Sequence, residues 1–171
     1  GAAALGKTIT DEMKAGKPRG GPDFRLPTLA AGNLMAAADG PRIATMSFTG
    51  WDTHADERPV GGGLGTTLGS LDLALEALAG AMGPVWKETV VVVATEFGRT
   101  VKMNGTAGSD HGVGSVAFVL GGAVRGGRVI GEWPGLAEAQ LYQKRDLMPT
   151  TDLRAVFKGI ARDHFGLDAR D

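Results

Sequence analysis

The chain has 171 residues, a formal net charge of −1, 6% aromatic content and no cysteine. That length supports one domain with a real core. The near-neutral charge and the scarcity of aromatic residues argue against a nucleic-acid module or an anionic-membrane binder, and the lack of Cys excludes a disulfide framework and a zinc–thiolate site.

The opening, GAAALGKTITDEM, has neither a basic lead nor a long apolar run, so it carries no visible signal peptide and reads as the inside of a longer chain. Residues 1–24 form a loosely structured lead-in with a short helix around Thr8 to Ala15. Leu26 to Ala38 repeats apolar residues at spacings of three and four. This predicts a helix with Pro27 in its first turn and Asp39-Gly40-Pro41 at its end. Arg42 to Phe48 reads as a strand leaving into Thr49-Gly50-Trp51-Asp52-Thr53-His54. Thr66 to Met82 is the clearest helix, stopped by Gly83-Pro84. No stretch approaches the roughly 20 apolar residues of a membrane span.

Thr89 to Ala94 is apolar on both faces, as in a central parallel strand covered by helices. It ends in Thr95 and Glu96 and runs into a glycine-rich loop with Asp110-His111-Gly112. Ser115 to Leu120 reads as another strand and Ala123 to Gly131 as a small hairpin. Leu153 to Phe165 reads as an amphipathic helix capped by Asp152 or Thr151. The alternation predicts a single α/β domain over residues 1–171, with a partly parallel sheet flanked by helices. Strand ends would then share one edge, carrying Asp52, His54 and Glu96 together.

Asp52, His54, Glu96, Asp110 and His111 are hard oxygen and imidazole donors, suited to zinc, manganese, iron, magnesium or calcium. Two such groups of donors make a dinuclear hydrolase conceivable. The plainer reading has each Asp capping a turn and each His at the surface. Glu96 at the end of an apolar strand needs a partner, either an ion or Arg99 one turn on. Arg99 could equally clamp an oxyanion. His164 reads as a solvated residue of the last helix, Trp51 as packing and Thr95 as a strand threonine rather than a nucleophile.

The segments GWDTHADE, MGPVWKETVVVVATEFGRT, NGTAGSDHGVGSVAFVLGGAVRGGRV and RDLMPTTDLRAVF resemble the C-terminal part of the domain of unknown function 1501 family, from about Leu26 onward. That family in turn resembles the alkaline phosphatase and sulfatase superfamily. The resemblance implies an α/β fold with a divalent-metal centre, a small anionic ester as substrate, and periplasmic or otherwise exported proteins made with a twin-arginine signal. It allows two registers. In one, Asp110-His111-Gly112 is the superfamily's Asp-His-Gly ligand pair. In the other, which the strand context favours, Asp52, His54 and His111 hold one metal. Glu96 is then the remnant of a second site, Phe97 stands where its histidine belongs, and Asp110 assists. Arg99 would hold the anionic group.

The superfamily's nucleophile and first metal-binding Asp belong to an N-terminal half that these residues do not match. The expected function is therefore a metal-dependent hydrolase of phosphate or sulfate esters whose nucleophile lies outside this chain. The alternative is a non-catalytic exported binding or assembly protein that keeps the fold with a degenerate metal site. A third reading has the polar loops hold each other without an ion. A sheet lacking its first strands would expose an edge open to pairing with a second copy.

Overall fold

The computed structural model describes residues 22–58 and 60–168. The short helix expected around Thr8 to Ala15 lies outside them. By contact the chain forms two compact units, one of residues 1–88 with 104–108, the other of residues 89–103 with 109–171.

The first unit is a pair of packed helices. Helix α1 spans Arg25–Ala36. Asp23 starts it by accepting the Arg25 backbone N–H at 3.0 Å. Thr28, almost fully buried, donates its hydroxyl to the Phe24 and Arg25 carbonyls, which removes the cost of an unpaired buried hydroxyl. Helix α2 spans Gly63–Met82. Thr67, Ser70, Leu71, Ala74, Leu78 and Met82 recur at three- and four-residue spacing and form its buried stripe. The two helix backbones approach closely at Gly32, where a Cβ would lie 2.7 Å from the Ala81 methyl. Gly83, at φ +51°, ends α2 and leads into a 3₁₀ turn over Gly83–Glu88. By length and composition alone Gly63–Glu88 could cross a membrane, which corrects the expectation that no stretch qualifies. A core helix meets the same criterion, and packing against α1 is what the structure gives this one.

Phe24, 5% exposed, stacks on Phe48 with ring centroids 4.5 Å apart and on Trp51 at 6.2 Å. Trp51 is thus used for packing. The strand expected over Arg42 to Phe48 does not form: Arg42 through Ser47 are exposed coil. A strand is stable only when a neighbour takes its N–H and C=O groups, and this segment joins no ladder among the described residues.

The second unit holds two small sheets. Strand β1, Val91–Val93, pairs antiparallel with β4, Phe118–Leu120, in the register Val91↔Leu120, Val92↔Val119, Val93↔Phe118. Strands β2, Gly98–Arg99, and β3, His111–Gly112, pair antiparallel as Gly98↔Gly112 and Arg99↔His111. The architecture is therefore mixed helix and sheet, as expected. The parallel pairing is not: every described pair is antiparallel. The β1 valines are half-buried rather than enclosed on both faces. An apolar run reports that a strand will be covered, but not the direction of the strand beside it. The expected strand Ser115 to Leu120 keeps only its last three residues, and the expected hairpin Ala123 to Gly131 is a series of turns with Val129 and Ile130 exposed.

The second unit closes with helix α3, Leu153–Phe165, within the bounds read from sequence. Asp152 caps it by accepting the Arg154 N–H at 2.9 Å. Gly166 ends it in the left-handed conformation at φ +67°. None of its residues is buried, although Val156, Phe157, Ile160 and Phe165 give it an apolar face.

Candidate metal centre

The Asp52–His54 segment follows the aromatic packing of Trp51. His54 Nε2 and Asp52 Oδ1 are 3.1 Å apart, and both side chains are about half exposed. That separation is the one a direct imidazole–carboxylate pair gives.

A hairpin tip holds this segment in place. Asn104 Nδ2 and Thr106 Oγ1 both donate to the His54 carbonyl, at 3.0 and 2.6 Å. Ala55 and Ala107 form an antiparallel bridge, and the Asp56 and Glu57 amides donate to the Thr106 and Ala107 carbonyls at 3.2 and 3.0 Å. Asn104 shapes the tip through Oδ1, which accepts the Thr106 and Gly108 amides and the Thr106 hydroxyl; asparagine is suited to such a turn because its side chain mimics a backbone carbonyl. Gly108 is required by contact, since a Cβ there would lie 2.2 Å from the His54 carbonyl carbon. Backbone strain collects at the same place, with Asp56 at φ 47° and Ala107 at φ 58°. Asp56 is tied to Arg58, Nε to Oδ1 at 2.6 Å, and that hydrogen bond holds its carboxyl below the usual carboxylate range.

His111 sits on β3, directly across from Arg99. Its imidazole lies face to face on the Phe97 ring, centroids 4.1 Å apart and planes 11° from parallel. The Arg99 guanidinium carbon is 5.4 Å from the centroid of the same ring, and Nη1 donates to the Ser109 carbonyl at 3.0 Å. Beneath the hairpin, Asp146 is fully buried. Arg145 grips it with two bonds, Nε to Oδ1 at 2.7 Å and Nη2 to Oδ2 at 3.2 Å, and this raises the Arg145 pKa above its ordinary value. The Asp146 backbone bridges to Thr100 and Tyr142.

Asp52 and His54 in the first unit and His111 in the second are all exposed donors of the kind a metal ion takes. Glu96 and Asp110 are also exposed. Two buried hydroxyls without a hydrogen-bond partner, Thr53 Oγ1 and Ser109 Oγ, are chain neighbours of these donor segments. Thr95 Oγ1 donates to the Phe97 carbonyl at 3.1 Å. His164 packs edge-on against Phe165 in α3, away in sequence from the other donors.

The donors are legible in the sequence and their supports are much less so. Asn104 and Thr106 were detectable as an N-G-T turn signal. Asp146 carried none and Phe97 read only as a lost ligand, because a buried hub and a stacking platform are defined only by what folds against them.

The family model described as "Protein of unknown function (DUF1501)" matches residues 8–171. No curated protein and no solved structure is a significant match. With a match over all but the first seven residues, the chain belongs to the DUF1501 family of proteins of unknown function.

Proposed function

We propose that this chain binds a divalent metal ion through Asp52, His54 and His111 and serves as the ion-holding part of a sulfatase- or phosphatase-like metallohydrolase. The observation that carries the reading is the exposed Asp52–His54 pair, imidazole nitrogen and carboxylate oxygen 3.1 Å apart, with His111 as the second imidazole that the family resemblance implies. That donor set suits zinc, iron or manganese better than calcium or magnesium, which prefer oxygen throughout. A bound ion supplies Lewis acidity toward an anionic ester. Arg99 would hold the charged ester group, its guanidinium already braced by the Ser109 carbonyl and the Phe97 ring. Glu96 and Asp110 would assist, and the fold would be a portion of an alkaline-phosphatase-like α/β domain.

A second reading is a non-catalytic exported binding or assembly protein with one surviving ion site. Phe97 favours it: where the resemblance to the superfamily calls for a second metal-binding histidine, an aromatic ring is stacked on His111 instead. Metal analysis of protein purified without chelators, zinc titration and a phosphate- and sulfate-ester panel separate the readings. One ion bound with ester turnover supports the hydrolase. One ion bound without turnover supports the binding protein. No ion bound, or unchanged metal content in His111→Ala, sinks both.

A further inference from the structure

We propose that Phe97 is a positioning residue, a rigid platform that sets the ring plane of His111 so that its imidazole is presented ready to ligate. The proposal rests on the ion-binding reading above and adds to it a residue that cannot itself be a ligand.

His111 is exposed and lies on a strand of only two residues. An exposed imidazole normally samples several χ1 wells and two ring orientations, and only a fraction of those aim a nitrogen at a given point. Here the ring is not free to do so. It lies on Phe97 at 4.1 Å and 11°, the stacked geometry through which aromatic faces attract one another.

The platform is fixed by the backbone beneath it. Gly98, the residue after Phe97, is buried against Gly114, so closely that a Cβ would come within 1.9 Å of the Gly114 carbonyl oxygen. Gly112, the residue after His111, packs on the Arg99 backbone, its Cβ position 2.7 Å from the Arg99 carbonyl. Phe97 and His111 therefore extend from two backbone segments locked together at their neighbouring glycines. The Thr95 hydroxyl holds the Phe97 carbonyl. Arg145 Nη2 reaches toward the His111 carbonyl at 3.5 Å from its anchor on buried Asp146. Groups that orient a metal-ligating histidine usually do so by hydrogen bonding to its second nitrogen; here an aromatic face performs that role.

The test uses the full chain with zinc as the probe. Affinity is measured by competition with a chromophoric chelator for wild type, Phe97→Leu and Phe97→Tyr. The metal-free proteins are also compared by NMR, where the ring current of Phe97 shifts the His111 ring protons upfield. Phe97→Leu should lose that shift and bind zinc roughly 10-fold more weakly. Phe97→Tyr, which keeps the ring, should retain both the shift and wild-type affinity; it also controls for folding. If Phe97→Leu loses the ring-current shift yet binds zinc as wild type does, the positioning role is overturned and the ion site stands. If Phe97→Tyr is as impaired as Phe97→Leu, the stack is not the cause and the proposal also fails. If wild type takes up no zinc while its His111 protons are shifted, the ion-binding reading itself is what fails.

Discussion

Gly108→Ala is the most direct probe of the hairpin tip that holds the Asp52–His54 segment. A Cβ at residue 108 would lie 2.2 Å from the His54 carbonyl carbon, 2.3 Å from its oxygen and 2.5 Å from the Ala55 nitrogen. All three are main-chain atoms, so no side-chain rotation relieves the clash. Ordinary van der Waals contact begins at 3.4 Å, so tip and segment must separate by about 1.2 Å. A movement of that size takes the Thr106 hydroxyl bond to the His54 carbonyl from 2.6 Å to beyond hydrogen-bonding range. The Asn104 bond at 3.0 Å and the two backbone bonds from Asp56 and Glu57 are weakened or lost with it. Four exposed bonds at about 0.5–1 kcal/mol each put the cost near 2–4 kcal/mol. Amide exchange gives the site-specific readout: the Asp56 and Glu57 amides should exchange roughly 30- to 1000-fold faster than in wild type. Gly105→Ala is the control, since nothing lies within 4 Å of its Cβ position. Equal protection of these two amides in the Gly108 and Gly105 variants would refute the claim that close backbone contact docks the tip.

The helix glycines should split by sign. Gly32→Ala gains about 1 kcal/mol of helix propensity but forces a methyl to 2.7 Å from the Ala81 methyl, so overpacking of about 1–3 kcal/mol leaves it destabilised in urea unfolding. Gly69→Ala and Gly80→Ala, with open space at the Cβ, should each be stabilised by up to about 1 kcal/mol. Gln143 and Lys144 occupy a tight turn at φ 51° and 58°, a conformation that favours Asn-Gly; replacing them with Asn and Gly should raise the thermal midpoint. Asp146→Asn removes a fully buried carboxylate gripped by Arg145 and should cost about 2 kcal/mol in the same unfolding assay. The Asp152 carboxyl is held down to about 2 by Arg154, through its side chain and its backbone N–H. A depressed carboxylate pKa contributes stability that is complete above the ordinary value of 3.8 and is lost as pH falls through about 2. Fraying at the start of α3, read from Arg154 amide exchange, should therefore begin below about pH 4, and Asp152→Ala should fray at every pH.

The helices were legible in the sequence because their causes are local. The apolar spacing of Leu71, Leu78 and Met82, the cap before Leu153 and the stop at Gly83 all act within a turn or two of the chain. Strands were not legible in the same way. Arg42 to Phe48 has the composition of a strand and no ladder, while Val91–Val93 has the composition of a central parallel strand and one antiparallel neighbour. Pairing partner and direction are properties of the other strand, and a run of valines contains neither.

The site divides along the same line. Donor chemistry is written in residue type, so Asp52, His54 and His111 could be named from the chain alone, and the resemblance grouped them. What orients them depends on contact. Gly108 carries no mark of having a carbonyl 2.3 Å from its missing Cβ, yet that contact is why it must be glycine. Phe97 reads in sequence as a lost ligand. Against the His111 ring it reads as a platform, an aromatic face 4.1 Å from the imidazole. The two views predict different things about the same substitution. If Phe97 is only the scar of a lost second site, Phe97→His should add metal-binding capacity and leave the first ion's affinity alone. If it is the platform on which His111 rests, the second imidazole should stack in its place, and zinc stoichiometry should stay at one.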